Sequence, residues 1–115
     1  MDWAMMNYEY IYMQELLNDG QSVYLHYYDM LGLYVAYGLS AYYADMCSTP
    51  EVSYSDRMQM PVALLNRQCV FDLKCLMSQV SHTPQVDYHF HAREMIGKQG
   101  YDRWAQRISI QSQKL

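Results

Sequence analysis

The chain has 115 residues, a formal net charge of −4 and three cysteines, and it is rich in tyrosine (13) and methionine (10). This length suits one domain, residues 1–115, with enough core to fold without disulfide staples. The odd cysteine count (Cys47, Cys69 and Cys75), with no Cys-x-x-Cys pair, argues against a disulfide framework and for reduced thiols in the cytoplasm.

Charge is unevenly spread. Residues 1–56 hold eight acids and no Lys or Arg, whereas residues 57–115 hold all eight basic residues and four acids. Either the two halves neutralise each other on folding, or the first half presents an acidic face to a basic partner. Residues 1–21 carry four acids and no cation, unlike a secretory signal.

Residues 2–18 are expected to form the first helix. Trp3, Met6, Tyr10, Met13 and Leu17 recur at helical spacing and make its apolar stripe. Asp2 is placed to cap it, and Asn18-Asp19-Gly20 to stop it, with Gly20 free to adopt the left-handed conformation.

The stretch Ser22–Met46 is too long an apolar run for one ordinary strand, and its spacing predicts a long central helix. Small or polar residues (Ser22, His26, Asp29, Ala36, Ser40) fall on one line, and Tyr, Leu and Val fill the remaining faces. The uncharged run Met30–Ala44 is 15 residues, short of the roughly 20 a membrane helix needs. His26 and Asp29, at i and i+3, would form a polar pair within the helix, either a satisfied buried histidine or a handle in a ligand pocket.

Thr49-Pro50 ends that helix, and Pro61 suits the first turn of a third, spanning 61–80 with the stripe Val62, Leu65, Cys69, Leu73, Leu76 and Val80. Residues 86–91 alternate apolar and polar side chains, which predicts a short extended segment. Beyond Ala92, a break near Gly100 and a helix over 101–110 are expected, with 111–115 frayed. The expected architecture is therefore all-α: a small bundle of four to five helices around the rod 22–46.

Three functional readings follow. The first is a non-catalytic protein–protein interaction module, an adaptor or inhibitor that binds a basic partner and forms a homodimer. So many Tyr and Met cannot all be buried in so small a domain, and both are enriched at interfaces. Its contact residues would be Tyr8, Glu9, Tyr12, Glu15 and Asp19. The second is a metal- or ligand-dependent enzyme. Asp87, His89 and His91 would share a strand face and, with Glu94, offer carboxylate and imidazole to a divalent metal; an ordinary polar face is the plainer account. The third is nucleic-acid binding through Arg103, Trp104 and Arg107 of the basic tail. No phosphate loop, dinucleotide fingerprint, nucleophile elbow or His-Glu-x-x-His motif is present, and no resident cofactor is expected.

Overall fold

Tyr and Val favour an extended backbone packed on a pleated surface, and over residues 22–37 that preference prevails over helical spacing. A computed structural model describes residues 8–80, 86–93 and 98–113. In order these form α1 (Tyr8–Leu16), β1 (Ser22–Tyr28), β2 (Leu33–Tyr37), α2 (Gly38–Cys47), β3 (Glu51–Ser55), β4 (Met60–Leu65), α3 (Arg67–Leu76), β5 (Met77–Gln79), β6 (Tyr88–Ala92) and α4 (Tyr101–Gln113). The protein is thus a mixed α/β fold with a six-stranded antiparallel sheet, in place of the expected all-α bundle.

The expected central helix divides into three pieces. β1 and β2 form a hairpin in which His26 opposes Val35, Tyr27 opposes Tyr34 and Tyr28 opposes Leu33. Its turn closes at Gly32, whose φ is +63° and whose N–H donates to the Tyr28 carbonyl at 3.0 Å. Gly38, at φ +57°, then lets the chain leave β2 and enter α2. Two glycines in the left-handed region, where other residues pay for the Cβ, mark the joints. The expected third helix also divides. Residues 60–65 become β4, with Pro61 near the strand start, before pairing with β2 begins at Val62. Asn66 then caps α3, its Oδ1 accepting from the Cys69 N–H at 3.0 Å.

The sheet order is β3-β4-β2-β1-β6-β5, so three hairpins lie side by side with the first at the centre. The alternating segment near 86–91 forms β6 and pairs with both β1 and β5. The expected break at Gly100 agrees with its φ of +87°, and α4 continues past 110 to Gln113. Residues 81–85 and 94–97, together with Asp2, Trp3, Met6 and Lys114, lie outside the described residues.

The two sheet faces differ. One carries Val23, Leu25, Ala36, Ala63, Leu65, Phe90 and Ala92, all buried under α2, α3 and α4 through Tyr43, Leu73, Trp104 and Ile108. The Trp104 indole N–H donates to Asp45 at 2.9 Å and so ties α4 to α2. The other face meets α1, where Ile11 packs with Val35, Tyr37, Met58 and Met60. Among the described residues, no helix is long and apolar enough to cross a membrane.

Candidate functional site

The helix α1 buries little of itself: only Ile11 and Glu15 of its nine residues are buried. Glu15 is 4% exposed and turned inward. Its Oε1 accepts from the Ser40 backbone N–H at 3.1 Å, and its Oε2 accepts from the Ser40 hydroxyl at 2.6 Å. Tyr37, the residue before α2, makes no capping bond of its own, so a carboxylate from another helix satisfies the start of α2. Burial outweighs these hydrogen bonds and pushes the Glu15 carboxyl from 4.5 up to about 7.

The network continues through the chain that follows. Ser40 Oγ accepts from the Tyr24 N–H at 2.9 Å. Asn18 Nδ2 donates to the Ser22 carbonyl at 2.8 Å, and its Oδ1 accepts from the Gly20 N–H at 3.0 Å. Ser22 Oγ lies 3.0 Å from His89 Nε2, and the His89 ring lies against Tyr24 with centroids 4.5 Å apart. Desolvation first, then the neighbouring His91, lowers the His89 pKa. A carboxyl beside a hydroxyl suggests nucleophile activation, yet Ser40 is itself buried, so the pair has no access to a substrate. It is a cap that fixes α1 to the sheet.

With Ile11 and Glu15 directed inward, the described members of the predicted stripe face outward. Tyr10, Met13 and Leu17 are exposed, Met13 to 49% and Leu17 to 77%, as are Tyr12 and Leu16. Beside them Tyr8, Glu9 and Tyr12 line a shallow groove of about 370 Å³ with Arg57, Met58 and Gln59. The Arg57 guanidinium sits 4.2 Å over the Tyr8 ring. Asp19 is exposed just beyond the helix and accepts from the Gln21 N–H at 2.9 Å. The structure thus brings Tyr8, Glu9 and Tyr12 together and leaves Asp19 at the surface, whereas Glu15 is withdrawn from the contact set by its burial.

The remaining sites assemble differently from expectation. His26 is buried in β1 and Asp29 is exposed in the turn after it, so the helical i,i+3 juxtaposition does not form. Asp87 Oδ2 accepts from the Tyr27 N–H at 2.6 Å at the end of β1, and His89 faces Ser22 and Tyr24. Glu94 lies outside the described residues, among which no three His, Cys, Asp or Glu side chains gather as a metal site. Arg103 and Arg107 are exposed on α4, but Trp104 is buried and bonded to Asp45, so its ring is not free to stack on a base. Cys47, Cys69 and Cys75 are free thiols; burial raises the Cys47 pKa, which makes it less reactive.

No family model, no curated protein and no solved structure matches the chain. Function is therefore argued from the surface alone.

Proposed function

We propose that the protein is a non-catalytic interaction module that binds a basic protein partner through the outer side of α1. The observation that carries this is the row Tyr10, Tyr12, Met13, Leu16 and Leu17, exposed together along α1 and the turn that follows it. Contiguous apolar surface of this kind marks an interaction site more often than an idle one. Glu9 and Asp19 flank the row along the chain, and Arg57, held over the Tyr8 ring, is the cation that lines the adjoining groove, so the two acids are what favour a positively charged partner. The adjoining groove offers a place for a partner side chain beside Tyr8 and Tyr12. Homodimerisation through this row would set the Glu9 and Asp19 carboxylates of one copy near those of the other, which favours a different, basic partner. The same reading carries a reducing, cytoplasmic location, which suits three free thiols.

The test uses a synthetic amphipathic helical peptide with Leu on one side and Lys on the other. Calorimetric titration of the full chain should give saturable binding, weakened at least about tenfold between about 50 and about 500 mM salt. The double variant Met13→Asp, Leu17→Asp should lose at least about tenfold in affinity. Equal binding by this variant would overturn the proposal, as would a solution mass showing a dimer that the same two changes dissociate.

A further inference from the structure

On the sheet face opposite α1, the core thins out at one end of the β1–β2 hairpin. There a cleft of about 640 Å³ opens between the sheet and α3. Its floor is aromatic. Tyr27 and Tyr34 face each other across β1 and β2 with centroids 5.1 Å apart, and Tyr88 of β6 meets Tyr34 at 5.3 Å. Burial, with the nearby Tyr88 and Asp87, raises the Tyr34 pKa and keeps its hydroxyl neutral. The wall is one side of α3, where Arg67, Val70, Phe71 and Lys74 repeat at helical spacing.

This wall carries the cleft's charge. Arg67 and Lys74 both line it, in a chain whose net charge is −4. The Arg67 guanidinium makes no hydrogen bond or ion pair among the described residues. Lys74 Nζ lies 4.9 Å over the Tyr88 ring and 3.4 Å from its hydroxyl, which holds the ammonium at the aromatic floor. The nearby acids are already engaged: Asp87 accepts from the Tyr27 N–H, and Asp72 accepts from Ser48 and Gln68.

We propose that this cleft binds a planar aromatic small molecule bearing a phosphate, of mononucleotide size. The volume falls within the range of about 300–1,000 Å³ usual for such ligands. Arg67 and Lys74 give the cleft a guanidinium and an ammonium, the two side-chain cations that hold a phosphate. Half-exposed tyrosine rings supply a stacking surface without demanding one particular ring. None of this depends on α1, which lies on the other face.

The probe is adenosine monophosphate, titrated against the full chain by calorimetry, with adenosine and inorganic phosphate as separate arms. Saturable one-to-one binding of the monophosphate is expected, at least about tenfold tighter than either fragment, since each supplies only half of the contacts. Arg67→Ala with Lys74→Ala should weaken it at least about tenfold. Both side chains are exposed, so the variant should keep its thermal midpoint, whereas Arg103→Ala on α4 should bind as the parent does. No saturation by about 1 mM, binding of phosphate alone as tight as that of the monophosphate, or an unchanged affinity in the folded double variant would each overturn the proposal.

Discussion

The two faces of the sheet are built on different physics. Under α2, α3 and α4 the contacts are apolar and continuous, from Val23 and Leu25 through Phe90 to Trp104 and Ile108. Under α1 a small apolar cluster around Ile11 adjoins a buried polar network of Glu15, Ser40, Asn18 and Ser22. Dry packing does not titrate, whereas a buried ionisable group makes the stability of its surroundings depend on pH. The first face should hold the fold together, and the second should tune it and present α1 to a partner.

The largest expected effect probes the dry face. Phe90 is fully buried and stacks on Tyr88 with the ring planes 9° apart. Phe90→Ala should cost about 3–5 kcal/mol in urea unfolding. A loss below about 1 kcal/mol would mean that this face is not the main store of stability.

Glu15 tests the wet face. Its carboxyl is raised from 4.5 to about 7 in the folded chain, so folding favours the protonated form. The contribution is complete below about pH 4.5 and is lost as pH rises through about 7, for a total of roughly 3 kcal/mol. Glu15→Gln imitates the protonated acid. It should match the parent near pH 4.5 and be the more stable of the two near pH 8, by up to that amount. Two parallel stability–pH curves would refute the assignment.

The joint between the faces comes next. At Gly38 a Cβ would meet Met60 Sδ at 3.2 Å and the Glu15 side chain at 3.4 Å, at a φ of +57°. Gly38→Ala should cost about 1–3 kcal/mol. At Gly32, where a Cβ would meet nothing within 4 Å, only the backbone strain remains and the loss should be smaller. Denaturant midpoints of the two variants give the order. The smallest stability change belongs to Leu17→Asp, within about 0.5 kcal/mol, since that side chain is mostly solvated. A large loss there would show that the α1 row supports the fold instead of serving a partner.

What the residues disclosed in advance follows the same division. Local signals were legible: the stop at Gly20, the end of α2 at Cys47, the break at Gly100 and the alternation that became β6. The run 22–46 misled because β1 and β2 have side chains buried on both faces. Tyr24 and His26 follow one side while Val23 and Leu25 follow the other, and the alternation that identifies a strand is filled in. The stripe of α1 was seen correctly as apolar, but periodicity does not say which side faces the core; Glu15 on the inner side does, and its charge concealed that. The cleft was out of reach. Tyr27, Tyr34, Arg67, Lys74 and Tyr88 come from four elements that only the sheet order makes neighbours.

That order has a consequence for how the chain matures. The hairpin made first sits in the middle, and β1 completes its ladder only when β6 arrives, with Ser22 and His89 separated by 67 positions. During synthesis one edge of β1 stays unsatisfied until β6 has emerged, and closing so long a loop is slow. The nascent protein therefore passes through an interval with a bare, tyrosine-rich β edge, the stage at which self-association on the ribosome is most dangerous.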